Sequence, residues 1–113
     1  MIEVCYERDI HRLTVKGHAN SAERGKDLVC CAASMLLLTL NRAVEELTEK
    51  NFTASAINKV EKGDAEIWCV GEYNRCYTLI FDTIALGFEM LAEEYPKNIS
   101  YSGIEKVANN RVR

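Results

Sequence analysis

The sequence predicts a single α+β domain of two layers, in which two main helices pack on one face of a β-sheet. Two observations lead to this class. Short segments alternate apolar and polar residues, and two longer segments repeat apolar residues at helical spacing. Their order is β-β-α-β-β-α-β, and strand pairs with intervening helices favour helices on one sheet face. A length of 113 residues suits one domain.

The first predicted unit is a β-hairpin. Apolar or aromatic residues alternate with other residues at Ile2, Val4 and Tyr6, and again at Leu13 and Val15. The polar residues 8–11 between the two runs indicate a turn, so the two strands are expected to pair. His11 lies in this turn and is expected at the surface, without a partner.

The first helix is predicted from Asp27 to about Lys50. Its apolar stripe consists of Ala33, Leu37, Leu40, Val44 and Leu47. Asp27 stands where an N-cap is favoured, because its carboxylate can accept a hydrogen bond from a backbone N–H of the first turn. Cys30 then occupies the third helical position.

The second half repeats the pattern of hairpin and helix. Residues 52–61 and 65–70 are predicted strands around a turn at residues 62–64. The second helix, predicted to end before Pro96, has an apolar stripe of Tyr77, Ile80, Phe81, Ile84, Phe88 and Leu91. A short strand at 99–101 completes a domain spanning residues 1–104, and residues 105–113 are a polar C-terminal tail.

Composition excludes several classes of function. The net charge of −3 gives no footprint for nucleic acid, so no direct nucleic-acid binding is predicted. The N-terminus lacks the basic and apolar regions of a signal peptide, and the apolar run at 29–38 is shorter than a bilayer span. Five cysteines without a CxxC pair indicate reduced thiols and no structural zinc site. No metal and no cofactor are expected. A cytoplasmic location, away from membranes, is expected.

The polar segment before the first helix carries candidate chemistry. His18 follows the second strand, and residues 19–26 are few enough to bring it over the helix start near Cys30. A histidine beside a cysteine can take the thiol proton and later protonate a leaving amine. Gly17 allows close backbone approach beside the histidine, and Gly25 allows a sharp entry into the helix. The two residues are a candidate nucleophile and base.

Each of these residues also has an ordinary structural explanation. A cysteine in a first helical turn is commonly a small buried hydrophobe, and Asp27 is more often a cap than a catalytic acid. Ser34 lies one turn after Cys30 on the same face, where a hydroxyl commonly binds its own backbone. Cys31 points about 100° away from Cys30, and packing is its expected role.

Three blocks of the sequence resemble the ribosomal-processing cysteine protease family called Prp. The family pattern is GHA, a spacer, and then G-x-D-[IV]-V-C-A-x-x-S. The matching blocks are Gly17-His18-Ala19, Gly25-Lys26-Asp27-Leu28-Val29-Cys30 and Ala32-Ala33-Ser34. The spacing from histidine to cysteine matches without gaps, and the resemblance covers nearly the whole chain. One departure is Cys31, where many relatives carry a small residue.

The resemblance implies a bacterial, cytoplasmic cysteine endopeptidase. Such enzymes remove an N-terminal extension from a large-subunit ribosomal protein, cutting beside a Phe-Phe pair. The same resemblance makes Cys30 the nucleophile and His18 the base, with Asp27 and Ser34 at the other polar positions of the motif. It also implies a homodimer and a mobile loop at residues 20–26.

Two alternatives to the protease remain open from the residues alone. The chain would be a ribosome-associated binding protein if the helix start held a phosphate instead of a substrate carbonyl. It would be a thiol redox sensor if Cys30 and Cys31 acted together. For a protease, a pocket for Phe side chains is expected to be apolar, with Met35, Trp68 and Tyr77 as candidates.

Overall fold

The structure is a computed structural model that describes residues 1–17, 24–50, 55–61, 64–70 and 75–104. Its strands are β1 (Ile2–Glu7), β2 (Arg12–Lys16), β3 (Ser55–Glu61), β4 (Asp64–Val70) and β5 (Ile99–Ile104). Its helices are α1 (Arg24–Lys50) and α2 (Arg75–Glu94), and a 3-10 turn at Arg8–Ile10 joins β1 to β2. The predicted order of elements is confirmed.

The five strands form one mixed sheet in the order β3-β4-β2-β1-β5. The pairs β1/β2, β2/β4 and β3/β4 are antiparallel, whereas β5 runs parallel to β1. The parallel pair follows from the connections, because α2 precedes β5 and a crossover helix lets a returning strand run parallel. The first and last strands of the described chain therefore lie side by side.

One face of the sheet is apolar. Val4 pairs with Val15 on one side and with Tyr101 on the other, and Leu13 pairs with Tyr6 and Ile67. Most of these side chains are buried, and the rest are half-buried against the core. Residues on the opposite face include Glu3, Thr14, Lys16, Glu66 and Ser100, and none of these is buried. The alternation places the core on one face only, as a two-layer fold requires.

Both helices cover the apolar face with a stripe of buried residues. These are Val29, Ala33, Leu37, Leu40 and Val44 in α1, and Tyr77, Phe81, Ile84, Ala85 and Phe88 in α2. The helices also touch each other, because a Cβ added at Gly87 would lie 2.8 Å from Cδ2 of Leu36. The predicted two-layer α+β architecture is confirmed.

The first helix begins earlier than the sequence predicts. It starts at Arg24, so Asp27 lies within the helix and is not its N-cap. Arginine and lysine are good helix formers, and one glycine costs a helix only about 1 kcal/mol, so residues 24–26 can be helical. The prediction relied on the local preference of aspartate and missed this extension.

The segment Leu28–Leu47 of α1 is long and apolar enough, by length and composition, to cross a membrane. The core helix of a soluble protein meets the same criterion, and one stripe of this segment packs in the core described above.

Candidate active site

The backbone is closely packed at the end of β2. Gly17 has φ +100°, and a Cβ at this position would collide with the carbonyl oxygen of Met1. The next residue, Ile2, donates its backbone N–H to the carbonyl oxygen of Asn98 at 2.9 Å. The start of β1, the end of β2 and the approach to β5 therefore meet at this edge. The segment that leads to α1 follows directly after this point of the chain.

Cys30 lies on α1 at the border between the buried and exposed sides of the helix. It is half-buried and packs against the hydrophobic core. Because α1 begins at Arg24, Cys30 lies in the second helical turn and not at the third position. The field of a helix terminus is strongest within the first turn, so the dipole of α1 is weaker in the second turn than at the third helical position.

Cys31 differs from Cys30 in its surroundings, and the predicted packing role is wrong for the single chain. Its side chain is exposed. It lies on the outer face of α1 with Leu28, Met35 and Leu38, which are also exposed. The spacing of three and four residues places these side chains on one face of the helix. The two adjacent thiols therefore face different environments.

The remaining residues of the predicted site are only partly described. His18 lies outside the described residues, as does most of the loop predicted at 20–26. Gly25 and Asp27 lie within α1, but the surroundings of these two residues are not described. Ser34 is exposed one turn after Cys30. The structure thus describes Cys30 and Ser34 on one helix, while the contact between Cys30 and His18 stays a prediction.

The structure describes the side chains of two of the three residues suggested for a substrate pocket, Met35 and Tyr77. Met35 is five residues further along α1, which turns it by about 140° around the helix axis to the outer face. Tyr77 is buried in the first turn of α2, with its ring centroid 6.4 Å from that of His11. For Trp68, the side chain lies outside the described residues. The backbone of Trp68 pairs with Arg12, beside His11.

A second polar cluster lies at the opposite end of β2, and sequence reasoning missed it. His11 is only 8% exposed, and its Nε2 lies 2.7 Å from Oγ1 of Thr78. Its ring also packs near Phe81, with 5.7 Å between ring centroids. Burial lowers the pKa of His11, because the charged imidazolium is disfavoured away from water. The prediction of a surface histidine without a partner is therefore wrong.

The same cluster joins β1 to α2 through a shared carboxylate. Tyr6 donates its hydroxyl to Oδ1 of Asp82 at 2.7 Å, and Nε of Arg8 lies 3.0 and 3.1 Å from the two carboxylate oxygens. Burial and the hydrogen bond to Asp82 raise the pKa of Tyr6, so the phenol stays protonated. The partners are separated by more than seventy residues in sequence. No local signal could have indicated this cluster.

Two solved structures with a similar fold are of a ribosomal processing protease. The essential ribosomal processing protease Prp from S. aureus, in complex with a covalently linked product peptide, has a TM-score of 0.75 and 26% identity. The alignment covers 92% of this chain and 100% of that one. The S. aureus protease in complex with a substrate peptide gives a TM-score of 0.72 at 23% identity, covering 91% and 97% of the two chains.

A third similar structure is SMU.848 from Streptococcus mutans, with a TM-score of 0.64 and 23% identity. The alignment covers 93% of each chain. At this identity the likeness shows a shared fold and no more. No match was found among curated proteins.

The sequence family settles the class of protein. Residues 1–100 match the family described as Cysteine protease Prp. The matched range includes the complete motif from Gly17 to Ser34, the strands β1 to β4 and the first two residues of β5. The protein is a cysteine protease. The chain belongs to the Cysteine protease Prp family, as the resemblance of the motif predicts.

Proposed function

We propose that this protease removes the N-terminal extension of a large-subunit ribosomal protein, cutting beside a Phe-Phe pair. Cys30 is the nucleophile and His18 is the base in this proposal. The observation that carries it is the family match over residues 1–100, which contains the histidine and cysteine blocks in order. The half-buried position of Cys30 supports it, because a nucleophile needs both solvent access and a fixed side chain.

The proposed reaction is acyl transfer through a thioester. His18 takes the proton of Cys30, and the thiolate forms a bond to the scissile carbonyl carbon. The C–N bond then breaks, and His18 returns the proton to the leaving amine. Water hydrolyses the thioester and regenerates the thiol. Because α1 begins at Arg24, the backbone N–H groups of its second turn are bonded within the helix, and we assign the oxyanion donors to backbone N–H groups of the preceding loop.

The related S. aureus structures support a peptide substrate. One holds a covalently linked product peptide, and another holds a substrate peptide. A covalent link to product is what a nucleophilic mechanism would allow, and both proteins are described as ribosomal processing proteases. The transfer of this substrate class to the present chain is part of the proposal.

The test is the intact mass of a large-subunit ribosomal protein that carries a Phe-Phe N-terminal extension. It is incubated with the wild-type protease, with Cys30→Ser and with Cys31→Ser, all with reduced thiols. Loss of the extension with wild type and Cys31→Ser, but not with Cys30→Ser, is expected. Equal cleavage by Cys30→Ser would exclude Cys30 as the nucleophile. An unchanged mass in every reaction would exclude this substrate.

We also propose that two copies of the chain associate through the outer face of the helix layer. This outer apolar face consists of Leu28, Met35 and Leu38 on α1 and Leu79, Leu86 and Met90 on α2, each more than half exposed. Six large apolar side chains exposed on adjacent helices form the kind of patch that marks an interaction site. A second copy supplies a matching apolar surface in the isologous arrangement common to homodimers.

Two threonines on this face have hydroxyl groups that need no other partner. Thr39 donates to the carbonyl oxygen of Met35 and Thr83 to that of Leu79, each at 2.7 Å. A hydroxyl bonded within its own helix can be buried at little cost, because its donor is already satisfied. This favours a dry interface on the outer apolar face.

Light scattering tests the dimer. Wild type is expected at twice the chain mass of 12.8 kDa, and a Leu38→Glu, Leu86→Glu variant is expected at the monomer mass. The control is Ser100→Glu, an exposed position on the opposite face of the sheet. This variant should keep the dimer mass of the wild type. A monomeric wild type at micromolar concentration would contradict the proposal.

We also propose a cytoplasmic location for the protein, which cell fractionation tests.

A further inference from the structure

A line of polar residues runs along α1 from the proposed nucleophile. Cys30, Ser34 and Asn41 lie within about 40° of one another around the helix axis, because each residue turns the helix by about 100°. Cys30 and Asn41 are half-buried, and Ser34 is exposed. These three residues, here called the polar flank, separate the buried stripe of α1 from the outer apolar face.

The polar flank faces away from α2. Leu36 marks the side of α1 that meets α2, because its side chain lies against Gly87. The flank lies about 120–160° around the helix from Leu36, on the other side of the buried stripe. α1 also contacts β3 and β4, and β3 is an edge strand of the sheet. The flank therefore borders the β3 edge of the sheet, which lies on the far side of α1 from α2.

Asn41 has a buried acceptor without a donor. Its Nδ2 donates to Oε1 of Glu45 at 2.8 Å, one turn further along the helix. This bond fixes the orientation of the amide, because the reversed amide would place Oδ1 against a carboxylate oxygen. Oδ1 is buried and accepts no hydrogen bond within the part of the chain that the structure describes. The cost of such an acceptor exceeds what an exposed bond between residues one turn apart contributes.

A peptide lying beside α1 needs side chains as hydrogen-bond partners. In the middle of a helix each backbone N–H and C=O is bonded within the helix, so the backbone of α1 offers a peptide no partner there. An asparagine amide carries both an acceptor and donors, as a peptide group does. Asn41 is the amide of the polar flank, and its acceptor is the one that lacks a donor.

We infer that Asn41 binds the backbone of the peptide substrate, with Oδ1 accepting a peptide N–H and Nδ2 donating to a peptide carbonyl. The inference rests on the proposed function, since it places a peptide at Cys30. The amide makes this contact by leaving Glu45 and turning outward through a change of χ1. The turn breaks one exposed hydrogen bond and gives the unpaired oxygen a donor, so a bound peptide stabilises the turned amide.

The distance from Cys30 determines which residue of the peptide is contacted. Asn41 follows Cys30 by eleven residues, which corresponds to about 16 Å along the helix at 1.5 Å per residue. An extended peptide spans about 3.4 Å per residue. The contact is therefore expected about five residues from the scissile bond. Asn41 acts on binding and not on the reacting atoms, so it determines which lengths of peptide bind well.

The test compares two variants that lose similar hydrogen bonds on different sides of α1. Asn41→Leu removes the amide and keeps its approximate shape. The matched control is Arg42→Gln, because Nε of Arg42 lies 3.3 Å from Oε1 of Glu46, also one turn away, and the Arg42 side chain is 79% exposed. The substrate is a peptide with the Phe-Phe sequence and about six residues on each side of the scissile bond.

The expected effect is on binding. Asn41→Leu should raise KM about tenfold with kcat within about twofold of wild type, because it removes contacts that are equal in the ground and transition states. Arg42→Gln should keep both constants within about twofold. Fluorescence anisotropy with Cys30→Ser should show the same tenfold change in Kd when Asn41→Leu is added. Tm of Asn41→Leu should not fall, since its acceptor was unpaired and leucine is a good helix former.

Peptide length and backbone chemistry sharpen the test. Peptides shortened to about three residues on one side of the scissile bond do not reach Asn41, so the tenfold difference should disappear on truncation of that side only. N-methylation of the contacted residue removes its N–H. This change should raise KM for wild type and have little further effect on Asn41→Leu.

The possible failures are distinguishable. A KM for Asn41→Leu within twofold of wild type on the long peptide would overturn the inference and leave the proposed protease intact. A tenfold rise that is equal for long and short peptides, or one accompanied by a lower Tm, would also overturn it, since the amide would then support the fold. A wild type that neither binds nor cuts the long peptide would overturn the proposed function and the inference together.

Discussion

Each end of strand β2 has a residue with positive φ and a histidine, but at only one end are they the same residue. Before β2, His11 itself has φ 50°, and its ring is buried against α2 with Thr78 at 2.7 Å. After β2, Gly17 has φ +100° and His18 follows it. At the first end the histidine is part of the core. At the second end the glycine takes the unusual backbone conformation, and the histidine that follows it is the proposed base.

The contrast shows that a histidine at a strand end has no fixed role. His11 is held by α2, an element more than sixty residues away, and burial lowers its pKa. A buried neutral histidine contributes to stability and not to proton transfer with a substrate. The reverse assignment would make His11 the base, and the following predictions distinguish the two.

The largest expected effect separates the two histidines by activity. His18→Ala is expected to lower the rate of processing by about 1000-fold, because a general base typically accelerates a reaction by a factor of about 100 to 10,000. His11→Asn is expected to retain activity within about threefold while lowering the free energy of unfolding by about 1–3 kcal/mol. Asparagine suits this control because it tolerates positive φ. Loss of processing in a folded His11→Asn variant would contradict the purely structural role of His11.

The carboxylate shared by β1 and α2 is expected to give the next largest effect. Asp82→Ala removes the acceptor of Tyr6 and the partner of Arg8, leaving a buried phenol without its acceptor on α2. We expect a loss of about 1–3 kcal/mol in the free energy of unfolding, measured in urea. Processing by the folded fraction should be unchanged.

The neighbouring Thr83→Ala is the matched control for Asp82. Among the described residues its hydroxyl donates to the carbonyl oxygen of Leu79 in the same helix, so its loss should cost less than about 0.5 kcal/mol. Equal losses in the two variants would mean that the carboxylate does not join β1 to α2 energetically.

A smaller effect is expected for Tyr6→Phe. The variant keeps the ring that stacks on Phe81, with 6.1 Å between centroids, and removes only the hydroxyl. A loss of about 1 kcal/mol is expected, because one hydrogen bond is removed while Asp82 retains Arg8. A double-mutant cycle with Asp82→Ala should give a clear coupling energy. Additive losses would show that the hydroxyl and the carboxylate act independently.

The smallest effect is a pH dependence of stability that arises from His11. Its pKa is lower in the folded state, so below the ordinary pKa of histidine the unfolded chain binds a proton that the folded chain does not. Stability is therefore complete above that value and falls as the pH drops towards the lower folded pKa. Between pH 7.5 and pH 5, Tm should decrease more for wild type than for His11→Asn. Equal decreases would contradict burial of His11 as a neutral ring.

The sequence by itself determined the order of elements and the family. Alternation at Ile2, Val4 and Tyr6 and the helical stripe from Ala33 to Val44 are local patterns, and local patterns follow from which side of an element faces the core. The motif from Gly17 to Ser34 is also contiguous in sequence, which is why its resemblance to the Prp family could be identified. The predicted contact of His18 with Cys30 stays a prediction.

Only the tertiary structure decided where side chains with ambiguous preferences lie. It buried His11 against α2, exposed Cys31 on the outer apolar face, and brought Met1 against Gly17. It also started α1 at Arg24, against the preference of Asp27 for an N-cap. The physical reason is the same in each case. A residue's own chemistry sets weak local preferences, whereas burial and hydrogen bonding depend on elements that are distant in the chain and adjacent only after folding.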